Sequence, residues 1–102
     1  MSEQDTQGLP VLYSQPGCNA CLALKGFLKR CGARFDEVDV TRDAQAIRVL
    51  RAAGVHSTPA LGVDGVITAV KAQDIPRLGR SIASAQHAAA RRLGQHEAGV
   101  GL

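Results

Sequence analysis

Tryptophan is absent from this 102-residue chain, and its aromatic residues amount to one Tyr and two Phe. A core must therefore be built from Leu, Val, Ile and Ala. So few rings also offer little on which to stack bases, and with a mild net charge of +3 a nucleic-acid partner is not expected. No apolar run approaches the roughly 18 residues that a membrane span requires, so no membrane partner is expected. The first eight residues, Met1 to Gly8, are polar and acidic, the opposite of a secretory leader, and a cytoplasmic location is the expectation. Cysteine is scarce as well. Three cysteines exclude a multi-bridge disulfide scaffold and leave at least one unpaired.

Apolar residues still make up 45% of the chain, an ordinary share for one small domain. Their spacing predicts a lead-in over residues 1–8, a domain over 9–93 and a flexible tail over 94–102. Leu9 to Tyr13 reads as a buried first strand. Leu24, Phe27, Leu28 and Cys31 follow at helical spacing, and Gly32 supplies a stop. Arg34 to Val40 reads as a second strand, and Thr41 to Ala53 as a helix capped by Thr41 or Asp43, with Ile47 and Leu50 inward and Arg42, Arg48 and Arg51 solvated. Val55 to Val63 and Val66 to Val70 flank Asp64-Gly65, a strong hairpin signal. A last helix begins near Asp74, runs to about Leu93 and turns Ile75, Leu78, Ile82, Ala85 and Ala89 inward. The order β-α-β-α-β-β-α specifies an α/β fold, a four-stranded mixed sheet with helices on both faces. The crossover rule predicts parallel pairing of the first three strands, with the hairpin adding an antiparallel edge.

The chemistry concentrates in Ser14-Gln15-Pro16-Gly17-Cys18-Asn19-Ala20-Cys21, between the first strand and the first helix. A cysteine at a helix start meets free N–H groups and the positive end of the helix, which favour its thiolate. A second cysteine three residues on shares its face and can close a disulfide. Cys18 is thus the candidate nucleophile and Cys21 the candidate resolving thiol. Zinc is the competing use of Cys-x-x-Cys, but no second ligand pair is present and His56, His87 and His96 lack ligand spacing. Cys31, on the apolar stripe, reads as a buried inert thiol, or as a regulatory one if exposed. His56 is a surface-loop residue or a tuner of the thiolate, and Tyr13 and Gln15 are placed to line the approach to the sulfur.

Cys18-Asn19-Ala20-Cys21 after the first strand and Ser57-Thr58-Pro59 opening the third together resemble the thioredoxin fold. The short chain is most similar to the glutaredoxins and to the glutaredoxin-like thioredoxins that serve ribonucleotide reductase. The resemblance covers roughly residues 9–84. It implies a cis-proline at Pro59 beside the dithiol, with Thr58 offering its backbone to a substrate chain or to glutathione. It also implies a thiol–disulfide oxidoreductase acting on protein disulfides or glutathione mixed disulfides. No bound cofactor is expected, because the electrons reside in the two sulfurs; glutathione enters only as a co-substrate. The implied electron donor is a thioredoxin-type reductase or glutathione, and a monomer is expected. Where glutaredoxins carry a lysine three residues before the first cysteine, this chain has Gln15. Ala69-Val70 replaces a Gly-Gly, leaving only Asp74 of that patch, with Lys71 as a substitute source of positive charge. The alternative function implied by the resemblance is a carrier of a glutathione-assisted [2Fe–2S] cluster.

Overall fold

The β1 strand, Val11–Ser14, lies inside the sheet, paired along both edges, with Leu12 and Ser14 buried and Val11 and Tyr13 half-buried. The computed structural model describes residues 9–101; the lead-in expected over residues 1–8 lies outside the described residues. Four strands follow the order β2-β1-β3-β4, with β2 at Asp36–Asp39, β3 at Ala60–Val63 and β4 at Val66–Ala69. Leu12 lies beside Leu61 and Tyr13 beside Ala60. Because side chains alternate along a strand, the first pair points to one face and the second to the other.

The helices complete those two faces. Leu12 and Leu61 pack with Leu24 and Leu28 of α1 (Asn19–Arg30) and with Ile75, Ile82 and Ala83 of α3 (Ile75–Gly101). Ala60, with Tyr13 at its edge, packs with Ala46 and Leu50 of α2 (Ala44–Ala52) and with Val40 and Val55. Fully burying a Leu is worth about 1.5–3 kcal/mol, and Leu12, Leu24 and Leu28 are each 0% exposed. This trio anchors the dithiol helix to the central strand. No helix is long and apolar enough to cross a membrane among the described residues.

Several boundaries differ from the sequence expectation. The β1–β2 pair is parallel, but β3 runs antiparallel to β1. Ser14 pairs with Asp39 and Tyr13 with Ala60, so β2 ends and β3 begins at the same end of the sheet. The α2 connection leaves and returns at that end, and the crossover rule, which concerns parallel returns, does not govern it. Thr41 falls in a 3-10 turn over Val40–Arg42, and Asp43 caps α2 by accepting the Ala46 N–H at 3.1 Å. The loop before β3 extends to Pro59. Asp64 and Gly65, with φ of 52° and 82°, make the hairpin turn that the sequence signalled.

The α3 helix begins after a 3-10 turn at Ala72–Asp74 and continues through residues 94–101, past the Leu93 at which its apolar stripe gives out. Past Pro76 the helix contains no proline, and propagating a formed helix needs little from each residue. Its inner face also shifts. Gly79 and Ala83 are buried, whereas Ala85 and Ala89 are exposed, because the helix meets α1 through the ring of Phe27. Cys31 is half-buried at the rim of that contact, not enclosed, and it is a free thiol. Across the same interface Gln86 accepts from the Arg34 N–H and donates to the Arg34 carbonyl, both at 2.7 Å, clamping the loop into β2.

Candidate active site

The turn out of β1 positions the dithiol. Gln15, Pro16 and Gly17 reverse the chain so that Cys18 becomes the N-cap of α1. The cap is chemical as well as geometric, since the Cys21 N–H donates to Cys18 Sγ at 3.1 Å. Cys18 and Cys21 are joined as a disulfide with Cα atoms 5.2 Å apart, within the usual span of such a bridge. Cys21 is 3% exposed, whereas Cys18 is only half-buried. An incoming disulfide therefore reaches the Cys18 sulfur first.

Opposite Cys18 stands the loop before β3, whose Thr58–Pro59 peptide is cis. The Thr58 hydroxyl lies 3.8 Å from Cys18 Sγ and can donate to it, and the Thr58 carbonyl oxygen lies 3.9 Å from the same sulfur. Once the bridge is reduced, the Cys21 N–H, the Thr58 hydroxyl and the start of α1 all favour negative charge on Cys18. Pro59 is buried, and its carbonyl accepts the Val70 N–H at 3.0 Å, tying the cis-proline loop to the end of the hairpin.

Two hollows flank this centre. The larger, about 550 Å³, has a floor of Val40, Ile47, Leu50 and Val55 and a polar rim that includes Gln15, Arg51 and Thr58. The smaller, about 220 Å³, lies behind Cys21 and is bounded by Ser14, Lys25, Glu37 and Asp39. Gln15 is exposed and borders both. His56, also exposed, lines the larger hollow beside Thr58. The structure thus brings Cys18, Cys21, Thr58, Pro59 and Gln15 together. Lys71 is exposed at the head of the 3-10 turn after β4, and Asp74, half-buried at its other end, faces Arg77 at 3.5 Å. Neither lines either hollow. Tyr13 is likewise absent from both linings; its ring lies over Gly62 on the α2 face, where burial first and then the charge of Asp43 push its phenol above the ordinary value.

Sequence reasoning missed three features here. Arg51 is exposed, as read, but it also stands on the rim of the larger hollow, because α2 is short and its last turn abuts the loop before β3. Ser14 is buried, and its hydroxyl donates to Glu37 Oε2 at 2.9 Å. Lys25 Nζ lies 2.9 Å from Glu37 Oε1. The Lys25 bond holds the Glu37 carboxyl below its ordinary value; burial opposes it, and the Ser14 bond adds a smaller lowering effect. Lys25 stands four residues after Cys21, one helical turn on, which was the available signal; the partner strand was not readable from local pattern. Among the described residues no group of three or more His, Cys, Asp or Glu is arranged to hold a metal ion.

Comparison with known proteins agrees with this geometry. The glutaredoxin family profile matches residues 11–67. The Gene 56 protein of Mycobacterium phage D29 is 46% identical over 35 residues, a stretch covering 34% of this chain and 39% of that protein. The crystal structure of the thioredoxin-like protein BC3987 superposes with a TM-score of 0.58 at 34% identity, covering 68% of this chain and 97% of that one. NrdH-redoxin from Escherichia coli, a glutaredoxin-like protein, superposes with a TM-score of 0.59 at 26% identity, covering 68% and 92%. The family match runs from β1 into the β3–β4 hairpin and so takes in the whole frame that holds Cys18, Cys21, Thr58 and Pro59: the chain belongs to the glutaredoxin family, as a thiol–disulfide oxidoreductase of the thioredoxin superfamily.

Proposed function

We propose that this protein reduces disulfides of partner proteins in the cytoplasm, as a monomer, and draws its electrons from a flavin-linked thioredoxin-type reductase in preference to glutathione. The observation that carries the reading is the asymmetry of the dithiol: Cys18 is accessible and met by N–H and O–H donors, while Cys21 is buried behind it. The reduced Cys18 thiolate attacks one sulfur of the partner disulfide, and the partner's other sulfur leaves as a thiolate. Cys21, ionised, then attacks the Cys18 sulfur and expels the remaining partner thiolate. Two electrons have passed to the partner, and Cys18–Cys21 is the disulfide left behind.

The donor preference rests on the rim. A glutathione carboxylate meets the neutral side chain of Gln15 where the resemblance implies a lysine, and Asp74 is engaged with Arg77. The structurally similar NrdH-redoxin is described as glutaredoxin-like with a thioredoxin-like activity profile, which supports the same division here. The test is turnover on a generic protein disulfide such as insulin. NADPH with thioredoxin reductase is compared with NADPH, glutathione and glutathione reductase. Faster turnover in the first system supports the proposal; equal or faster turnover in the second overturns the donor assignment.

A further inference from the structure

None of the charges gathered behind Cys21 is among the hydrogen-bond partners of the Cys18 sulfur. The smaller hollow brings Cys21 together with Lys25 of its own helix and with Glu37 and Asp39 of β2. Glu37 is committed at both oxygens, to Lys25 Nζ on one and to the buried Ser14 hydroxyl on the other, each at 2.9 Å. Asp39 is turned to the following residues: it accepts the Thr41 N–H at 2.9 Å and the Thr41 hydroxyl at 2.6 Å, and it stands 4.0 Å from Arg42. Lys29, exposed on the next turn of α1, is the other cation acting on Glu37. The charges paired directly across this hollow are therefore those of Lys25 and Glu37, the anion held in place from inside the fold by Ser14.

We propose that Glu37, braced by Ser14, neutralises Lys25 and so sets the ionisation of Cys21, making the pair a positioning device for the resolving step. Cys21 must lose its proton to solvent before its thiolate can attack the Cys18 sulfur. An uncompensated ammonium one helical turn away would favour that thiolate, and an uncompensated carboxylate would oppose it. The pair holds the two influences against each other. The proposal rests on Cys21 as the resolving thiol, but its primary test is a titration that needs no turnover.

In a Cys18→Ser, Cys31→Ser background Cys21 is the sole cysteine, and its thiolate is followed by ultraviolet absorbance against pH. Glu37→Gln should lower the midpoint and Lys25→Met should raise it, each by on the order of one unit, while Lys25→Arg leaves it in place. A residue with only a structural role would not move the midpoint in opposite directions from the two ends of one ion pair. If Glu37→Gln does not fold, Lys25→Met against Lys25→Arg decides alone, since both alter a partly exposed side chain. Midpoints that stay fixed, or that shift the same way in both variants, overturn the proposal. In the otherwise wild-type protein, Glu37→Gln should also shorten the life of the mixed disulfide. A one-unit shift gives tenfold more thiolate, and the lower nucleophilicity of a more acidic thiol takes back part of it, leaving about threefold. Loss of disulfide reduction with the titration intact would sink the resolving role and leave the electrostatic assignment standing.

Discussion

The backbone N–H of Cys21 donates to the sulfur of Cys18 at 3.1 Å, so the nucleophile caps the helix on the amide of the residue that later releases its partner. One residue thus serves both half-reactions, through its amide in the first and its thiol in the second. The division predicts unequal mutants. Cys18→Ser should abolish disulfide reduction, whereas Cys21→Ser keeps the amide, still attacks, and accumulates a mixed disulfide with substrate. Trapping on a gel without reductant reads this directly; a Cys21→Ser protein as unreactive as Cys18→Ser would reverse the roles.

Acidity should follow the donors. Cys18 is expected to titrate below the free-thiol value of about 8.5, as read by alkylation rate against pH. Thr58→Val removes the hydroxyl 3.8 Å away but keeps the Cys21 N–H at 3.1 Å. The more distant donor is the weaker, so the midpoint should rise by about half a unit, or roughly 0.7 kcal/mol. No change in Thr58→Val would leave the amide and the helix end as the whole cause.

The dithiol, its helix and the hairpin were legible because each depends on neighbours in sequence: Cys18 and Cys21 on one helical turn, Asp64-Gly65 on one pair of positive φ angles. The direction of β3 was not, because it depends on where α2 returns the chain, which local periodicity does not encode. The same distinction separates Gln15, three residues before Cys18 in sequence and found on the hollow with Cys21, from Glu37, which reaches that hollow through its pairing with β1. Lys71 and Asp74 follow from the resemblance alone, and the ion pair of Asp74 is made with Arg77 in the first turn of the helix that follows it.

Packing between α1 and α3 turns on Gly79. A Cβ at that position would enter the ring of Phe27. Overpacking of this kind costs about 1–3 kcal/mol, while Gly→Ala in a helix interior returns up to about 1 kcal/mol. The clash should win, and Gly79→Ala should lower the urea midpoint without altering Cys18 acidity. Phe27→Leu in the same chain should recover part of the loss. A Gly79→Ala protein more stable than the wild type would mean that the ring swings aside at no cost.

Stability should also fall with acid through Glu37. Its folded pKa lies below the ordinary 4.5, chiefly through Lys25 and then Ser14. A depressed carboxyl contributes stability above its unfolded pKa and loses it as pH falls through the folded one. Because the pair is about a third exposed, its worth is on the order of 0.2–1 kcal/mol. Urea midpoints for wild type and Glu37→Gln should converge as pH drops from neutrality to about 3. Curves that stay parallel would show that Glu37 is not linked to folding.

The electron donor is the prediction on which the rim residues bear most. A lysine–carboxylate contact at an exposed rim is worth about 1 kcal/mol or less, and 1.4 kcal/mol is tenfold in binding. Gln15 borders both hollows and is exposed, so a lysine there fits without displacing a packed group. Gln15→Lys should therefore raise glutathione-dependent turnover by up to about fivefold and leave turnover with thioredoxin reductase nearly unchanged. Arg51, across the larger hollow, is the one Lys or Arg on that rim among the described residues. If it already serves the carboxylate, Arg51→Ala should depress glutathione-dependent turnover in the wild type, and Gln15→Lys should add little. Measured KM for glutathione in the two single variants and the double variant separates these cases. A fall in KM confined to Gln15→Lys establishes the missing lysine as the cause of a weak glutathione site. A wild-type protein already at full speed on glutathione, slowed only by Arg51→Ala, would transfer that role to Arg51 and remove the argument from Gln15.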